Sequence, residues 1–363
     1  MKILQILPGK IWGGAEQYVV DLGSALESHG HRVTYACRDV PAVTSQLRDR
    51  NIGFKTIRVP RASLFNTGLI LPELVGEADI VHVHDLKIVP AVARTISNTG
   101  SRARIIMTRH DAHRKTIPVW QRKAYQKVAA VICVSDFVRR RWLKANKWFS
   151  AAKCEVVLNS IPQHEHVTVE SLRHRYDIAD GETLLIFSGR VRKSKGCAVL
   201  MEALGKLPDL RWHLVLLGSC YPKGYDMKLA SVAEKLNIRD RVHFYGFTSH
   251  SRDLMKQADI GVVPSVFKDP CPLSNLEFMQ QGVCVVTTSS GGQPECMESG
   301  KSGIIVPPDD ADALAEALRR LITDSLLRNA IATAGSRHFN NVLSYSRFMN
   351  QIESIYRTTL NHH

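Results

Sequence analysis

Short, continuous apolar runs punctuate this chain, and longer polar stretches with helical spacing separate them. In the first half the runs are Lys2–Leu7, Arg32–Cys37, Phe54–Val59, Ile80–Val83, Arg104–Thr108, Val128–Val134 and Glu155–Leu158. Apolar runs of this length between turn signals read as strands buried on both faces. Glu16–His29 carries a helical pattern that Gly30 would stop. Strand and helix in alternation predict a parallel, doubly wound sheet. From Asn159 to Gly181 the rhythm breaks into a polar stretch with Pro162 and three histidines, read as a linker and the entry helix of a second domain. The alternation then resumes. Strands are expected at Thr183–Ser188, Trp212–Leu217, Val242–Tyr245, Ile260–Val263, Val283–Thr287 and Gly303–Val306. Helices are expected at about Gly196–Leu207, Met227–Leu236, Arg252–Gln257, Leu273–Gln281 and Ala311–Leu321, and Tyr345–Leu360 closes the chain in a helical pattern. The expected domains are 1–165 and 166–343, with 344–363 as a tail helix.

Composition narrows the class. A length of 363 residues suits two domains, and 44% hydrophobic residues is ordinary for a globular protein. No apolar run approaches the roughly 20 residues that span a bilayer. The opening MKILQILPGKIWGG runs into a glycine turn, so it reads as a first strand and not as a signal peptide. Eight scattered cysteines without a C-x-x-C pair fit reduced thiols in the cytosol. The net charge of +14 is unevenly placed. Residues 1–165 hold 25 Lys and Arg against 13 Asp and Glu, and 166–363 hold 23 against 21. Within Arg102–Lys153 stand 14 basic residues and two acids, Asp111 and Asp136. That segment contains no recognised nucleic-acid module, so no nucleic-acid partner is expected.

Four motifs carry chemistry. In Val263–Gly303, Asp269 precedes Glu277 by eight positions, with a turn at Pro270–Pro272 and a helical run from Leu273. A helix start behind a tight loop aims backbone N–H groups at one point, which suits a phosphate. Leu273 and Ser274 can supply them, whereas Pro272 has no N–H. Flanking carboxylates can accept from sugar hydroxyls, and phosphate with polyol implies a nucleotide-sugar. Second, SGRVRKSKG, Ser188–Gly196, puts Arg190 and Lys195 on a short loop after a strand, where both can meet one anion. Arg192 and Lys193 are weaker candidates. Third, Gly9, Gly13 and Gly14 follow the first strand; glycine there would permit positive φ and close backbone approach. The spacing is not the dinucleotide fingerprint G-x-G-x-x-G. Fourth, Thr108-Arg109-His110-Asp111 ends a strand, where open α/β sheets place ligands.

Together these motifs resemble the family 4 glycosyltransferases, a retaining group with the GT-B fold. The carboxylate-x7-carboxylate signature matches at Asp269 and Glu277, with Asp where the family usually has Glu, and with Cys271 and Pro272 where it often has Phe-Gly. The resemblance implies an α/β fold of two Rossmann-like, doubly wound domains facing across a cleft, with the tail helix returning to the first. It implies a metal-independent hexosyltransferase of class EC 2.4, moving a sugar from a nucleotide-sugar to an acceptor hydroxyl with retention. Arg190 and Lys195 would bind the donor diphosphate, Asp269 the sugar, Glu277 the ribose, and Leu273 and Ser274 the phosphate through their N–H groups. Gly13 and Gly14 would approach the phosphates from the first domain, and His110 would stand near the transferred sugar, with Asp111 orienting the imidazole or an acceptor hydroxyl. His110, Arg190, Lys195 and Asp269 form the expected catalytic set. No metal and no cofactor beyond a UDP- or GDP-linked donor are expected. Two other classes remain open, a GT-B isomerase or epimerase and a non-catalytic carbohydrate-binding partner.

Three further expectations follow. His82 and His84 in HVHD have metal-like spacing but lack a completing ligand set, so they are expected to end a strand. Cys271 has no paired base and is expected to pack. The segment 102–153, with Arg139-Arg140-Arg141-Trp142 and Lys147-Trp148-Phe149, suits an anionic membrane surface. It points to a glycan, glycolipid or lipopolysaccharide acceptor and to a cytoplasmic protein peripheral on the inner membrane face.

Overall fold

The structure is a computed structural model and describes residues 1–7, 9, 11–57 and 71–361. It divides into two compact units, Met1–Asn159 with Tyr345–His363, and Ser160–Ser344. The first unit thus ends at Asn159 where the sequence reading placed its end at 165.

The first unit runs β1 (Lys2–Ile6), α1 (Gly14–Ser28), β2 (Arg32–Arg38), α2 (Pro41–Asp49), β3 (Phe54–Ile57), α3 (Pro72–Glu77), β4 (Ile80–Val83), α4 (Val89–Thr99), β5 (Arg104–Arg109), α5 (Val119–Gln126), β6 (Val128–Cys133), α6 (Asp136–Ala145) and β7 (Cys154–Val156). Its strands form one parallel sheet in the order β3-β2-β1-β4-β5-β6-β7. The strand expected at Phe54–Val59 is seen to Ile57; Arg58 and Val59 lie outside the described residues. The second unit runs α7 (Leu172–Arg175), β8 (Thr183–Ser188), α8 (Cys197–Gly205), β9 (Trp212–Leu217), α9 (Tyr225–Lys235), β10 (Val242–Gly246), α10 (Ser251–Met255), β11 (Ile260–Val263), α11 (Leu273–Gln280), β12 (Cys284–Thr288), β13 (Ile304–Val306), α12 (Ala311–Thr323) and α13 (Ser325–Val342). Its sheet is also parallel, in the order β10-β9-β8-β11-β12-β13. In each unit the first strand lies between the second and the fourth, so the order reverses beside it, and that switch point is where doubly wound sheets open a crevice at the strand C-termini.

The continuous apolar runs follow from helices on both faces. Every residue of β8 and of β4 is buried. In the second unit Leu185, Phe187, Trp212, Leu214 and Leu216 pack with Leu200, Met201 and Leu204 of α8 and Leu314, Leu318 and Leu321 of α12. Some helix starts are fixed by side chains. Ser135 accepts from Val138 N, Asp310 from Ala313 N and Asp324 from Leu327 N. The sequence reading did not identify α13. Its pattern is weak because Gly335 and several polar residues interrupt it, yet Gly335 is buried, and a Cβ there would lie 2.9 Å from Ser302 O. Small size at that point lets α13 approach the loop before β13.

The last helix, α14 (Tyr345–Asn361), belongs to the first unit. Phe348, Met349, Ile352 and Tyr356 enter a core with Ile3, Tyr18, Leu22, Leu26, Ile106 and Ile132. Tyr356 is fully buried, and its hydroxyl lies 2.7 Å from His82 Nδ1. Tyr356→Ala should therefore cost ~3–5 kcal/mol. Hydrogen exchange should show selective loss of amide protection in β1, β4 and α1, and unchanged protection there would contradict this packing role.

Candidate active site

In the second unit the two loops at the switch point, after β8 and after β11, converge. The chain leaves β8 at Ser188, passes Arg190, turns through a short 3-10 segment at Lys193–Lys195, and enters α8 behind Gly196. Gly196 has φ +74, and a Cβ there would lie 1.9 Å from Pro264 O, in the loop after β11. Only glycine combines that backbone with that approach. The contact brings Lys195 Nζ to 2.5 Å from Asp269 Oδ2, which also accepts from Ser265 Oγ at 3.0 Å. Lys195 is partly exposed and Asp269 nearly buried, at 28% and 9%. Arg190 is half-buried and, among the described residues, has no ion-pair partner. Arg192 instead donates to Ser194 Oγ at 2.6 Å, and Lys193 is exposed.

The other side of Asp269 is held by backbone. Gly292 N donates to Asp269 O at 2.8 Å, and a Cβ on Gly291, at φ +75, would lie 2.0 Å from the same oxygen. A buried polar chain fixes this turn, with Thr287 Oγ1 on Gln293 Oε1 at 2.6 Å and Gln293 Nε2 on Thr288 Oγ1 at 2.8 Å. Pro272 precedes α11, and no side chain caps the helix. Leu273 and Ser274 open it with partly exposed side chains. One turn on, Glu277 Oε1 accepts from Arg252 Nε of α10 at 3.2 Å. Arg252 was not foreseen, because nothing in HSRDL marks it and only the packing of α10 on α11 brings it there. Cys271 is buried with its Sγ 3.1 Å from Cys296 Sγ.

In the first unit Gly13 caps α1 with φ −169, an extended conformation open to any residue, and Gly14 is the first helical residue. Positive φ, one of the two properties expected there, is thus not what Gly13 supplies. Close approach is evident at Gly9, where a Cβ would lie 1.8 Å from Glu16 Oε1. His110 follows β5 and is held by a relay from β1 and β4. His84 Nε2 lies 2.8 Å from Gln5 Oε1, and His84 Nδ1 lies 2.8 Å from His110 Nε2. Since the amide oxygen accepts, His84 carries its proton on Nε2 and accepts on Nδ1 from His110 Nε2–H. The lone pair at His110 Nδ1 is then free to accept. Asp111, expected as one candidate to orient the imidazole, instead accepts from Arg109 Nη2 at 3.0 Å and from His113 N at 2.9 Å. His82 bridges Tyr356 OH and Thr108 Oγ1, each at 2.7 Å. Burial pushes the His82 imidazole down to about 3 and His84 well below the usual range. His110 keeps a partly exposed edge, yet dense surroundings push it too down to about 3. All three are neutral at pH 7. A cavity of about 630 Å³ in this unit lies at the opposite end of the strands, beside Arg104, Lys127 and Lys153 where β5, β6 and β7 begin.

The basic segment differs from its expected form. Asp136 takes Arg139 at 2.7 Å and Arg140 at 2.9 Å, and Arg141 Nε donates to Ala112 O at 2.6 Å. Trp142 and Phe149 are buried. A helix on a sheet must bury one face; on α6 that face carries Trp142, and Phe149 lies in the turn that follows. The exposed apolar pair is on α5, where Val119 and Trp120 are each 68% exposed near Arg114, Lys115 and Lys123. No helix among the described residues is long and apolar enough to cross a membrane.

Both units have the strand order of a Rossmann domain, and the fold is of the GT-B class. It aligns with a glycosyltransferase from Rickettsia africae at TM-score 0.86, covering 100% of this chain and 99% of that one at 21% identity. It also aligns with HepE of Anabaena in complex with UDP-glucose, at TM-score 0.83, 99% and 100% coverage and 21% identity. Residues 12–164 match the family Glycosyltransferase Family 4, and 168–338 match Glycosyl transferases group 1. The chain thus carries a group 1 glycosyltransferase domain over 168–338 and a family 4 domain over 12–164. It is 32% identical over 177 residues to LpsE, a lipopolysaccharide core biosynthesis glycosyltransferase of Rhizobium meliloti, covering 48% of this chain. An uncharacterized glycosyltransferase of Methanocaldococcus jannaschii is 29% identical over 195 residues, 52% of this chain. These alignments span about half of each relative, 49% and 48% of its length. With a phosphatidyl-myo-inositol mannosyltransferase of Mycolicibacterium smegmatis the match is 25% identical over 367 residues, 95% of this chain and 90% of the relative.

The buried histidines make stability depend on pH. The unfolded chain takes up protons near pH 6.5 and folded His82 only near 3, so between these values the unfolded state binds more. Stability of the first unit should fall as pH drops through this window, by up to about 1.4 kcal/mol per pH unit for each buried histidine. Thermal unfolding from pH 7.5 to 5 should show the decline, and its slope should lessen in His82→Gln. A flat wild-type profile would contradict the buried neutral state.

Proposed function

We propose that this protein transfers a sugar from a nucleotide-diphosphate-sugar to an acceptor hydroxyl with retention of configuration, and that it does so without a metal ion. The observation that carries the reading is the pairing of Lys195 with Asp269 at the switch point, on the loop after β8 that also carries Arg190 and the loop after β11 that leads into α11. Arg190 and Lys195 bind the diphosphate, with the N–H groups of Leu273 and Ser274. Lys195, now paired with Asp269, exchanges that partner for phosphate, which frees Asp269 for sugar hydroxyls. Glu277 accepts from the ribose, with Arg252 holding its carboxylate. As the anomeric C–O bond breaks, the electron pair passes to the diphosphate oxygen, where the two cations stabilise it. The acceptor oxygen bonds to the same face of the anomeric carbon and its proton passes to the departing phosphate. On the first unit, His110 Nδ1 is the group left to accept from a substrate hydroxyl.

Lys195→Ala should cut transfer ~10²–10³-fold with the fold intact. Asp269→Ala should weaken the nucleotide-sugar but spare free nucleotide, and Glu277→Ala should weaken both. Calorimetry with UDP, GDP and their glucose or mannose conjugates measures this, and names the base. Mg²⁺ or Mn²⁺ should not raise the rate. Near-normal turnover in Lys195→Ala, or equal loss of nucleotide binding in the two carboxylate variants, would refute the assignment.

The acceptor we assign is a lipid-linked or lipopolysaccharide-type glycan reached at an anionic, cytoplasmic membrane face. The support is Val119 and Trp120, exposed on α5 among basic residues, and the names of the relatives from Rhizobium meliloti and Mycolicibacterium smegmatis. Trp at an interface buries its ring while basic groups meet anionic headgroups, each contributing ~1 kcal/mol. The protein should sediment with vesicles containing anionic lipid at low salt and not with neutral ones. Trp120→Ser with Lys115→Glu and Lys123→Glu should abolish this. Failure of the wild type to sediment, or sedimentation unchanged by these substitutions, would remove the membrane role and leave a soluble anionic acceptor.

A further inference from the structure

The polar stretch that broke the strand–helix rhythm carries a feature the transfer reaction does not use. His164 and His166 stand two residues apart just after the second unit begins at Ser160, and both rings turn onto Asp253 of α10. His164 Nε2 lies 3.0 Å from each carboxylate oxygen, and His166 Nδ1 lies 3.0 Å from Oδ1. The Asp253 side chain is 2% exposed, while those of His164 and His166 are 25% and 42% exposed. Among the described residues this is the one set of three or more His, Cys, Asp or Glu side chains whose donor atoms all lie within 4.8 Å of one another.

We propose that His164, His166 and Asp253 form a binding site for a divalent transition-metal ion of the zinc type, fastening the start of the second unit to α10. Bonds of ~2.0–2.2 Å in tetrahedral geometry place neighbouring ligand atoms roughly 3.3–3.6 Å apart, a few tenths of an ångström beyond the 3.0 Å between the histidine nitrogens and the carboxylate here. Two imidazoles and one carboxylate select zinc and its borderline-soft neighbours over Mg²⁺ or Ca²⁺, which take all-oxygen sets. The rings meet edge to face at 85°, as ligands on two corners of a tetrahedron can. Val167 N donates to Asp253 Oδ1 at 3.2 Å and so orients the carboxylate from behind the first ring of ligands. The exposed histidine edges supply an entry path and leave the fourth position to water.

The placement gives the site a consequence. Asp253 adjoins Arg252, which holds Glu277. An ion on Asp253 fixes α10 and the chain 164–167 together, and with them the guanidinium behind Glu277. The site itself stands whether or not the donor assignment does, since none of its three ligands belongs to the catalytic or donor-binding set.

The test is titration of chelator-stripped full-length protein with Zn²⁺ by calorimetry in a buffer that does not bind metal. One ion per chain is expected, with affinity at least ten-fold weaker in the double variant His164→Ala/His166→Ala, whose fold is checked by circular dichroism. Co²⁺ added to the wild type should give the intense visible absorption of a four-coordinate ion, which needs no variant to read, and Mg²⁺ should not displace it. No Zn²⁺ uptake, equal uptake by wild type and folded double variant, or only the weak spectrum of six-coordinate Co²⁺ would overturn the proposal and leave the cluster as a hydrogen-bonded ion pair.

Discussion

The second unit turns on how closely two loops can approach at the point where its strand order reverses. β8 and β11 are neighbours in the sheet but far apart in sequence, so the segments leaving them start side by side. Gly196 against the Pro264 carbonyl closes the remaining gap. That contact puts a lysine and a carboxylate 74 residues apart into one ion pair. The turn at Gly291 and Gly292 then clamps Asp269 from the other side by its own backbone. Two positive-φ glycines thus place a charged pair more tightly than side-chain packing could, because backbone against backbone leaves no rotamer to relax.

The first unit relies on a different device. Its strand C-termini are lined by a buried polar chain, Gln5–His84–His110, beside a second one, Tyr356–His82–Thr108. Buried polar groups cost stability unless paired. Here His82 and His84 find partners on both ring nitrogens, and His110 on its Nε2. The order of donors follows from the Gln5 amide, so a residue on β1 sets the tautomer of a histidine after β5. The tail helix takes part through Tyr356, which ties the end of the chain to the floor of this unit.

The run of three arginines that stands out in the sequence is held locally. One aspartate, Asp136, answers Arg139 and Arg140, and a backbone carbonyl answers Arg141. The aromatics beside them are core residues. A helix earlier, α5 presents an apolar tip with basic neighbours, which the run of arginines had overshadowed.

The amino-acid sequence alone marked the strands, because strands of a covered parallel sheet are short, mainly apolar runs bounded by turn signals. All the strands read from those runs recur in the two sheets, and β3 does so as far as Ile57. It also marked the residues around the second unit's switch point, since Asp269, Glu277, Arg190 and Lys195 sit in motifs of local spacing. It did not show α13, whose contact depends on a small residue facing a loop, nor Arg252 beside Glu277, nor Asp111 turning to Arg109. The partners of a side chain are set by which strands lie adjacent and which helices pack across them. Hydrophobic periodicity fixes which face of an element is buried, and only the assembled sheet decides what that face, or the loop beyond it, will meet.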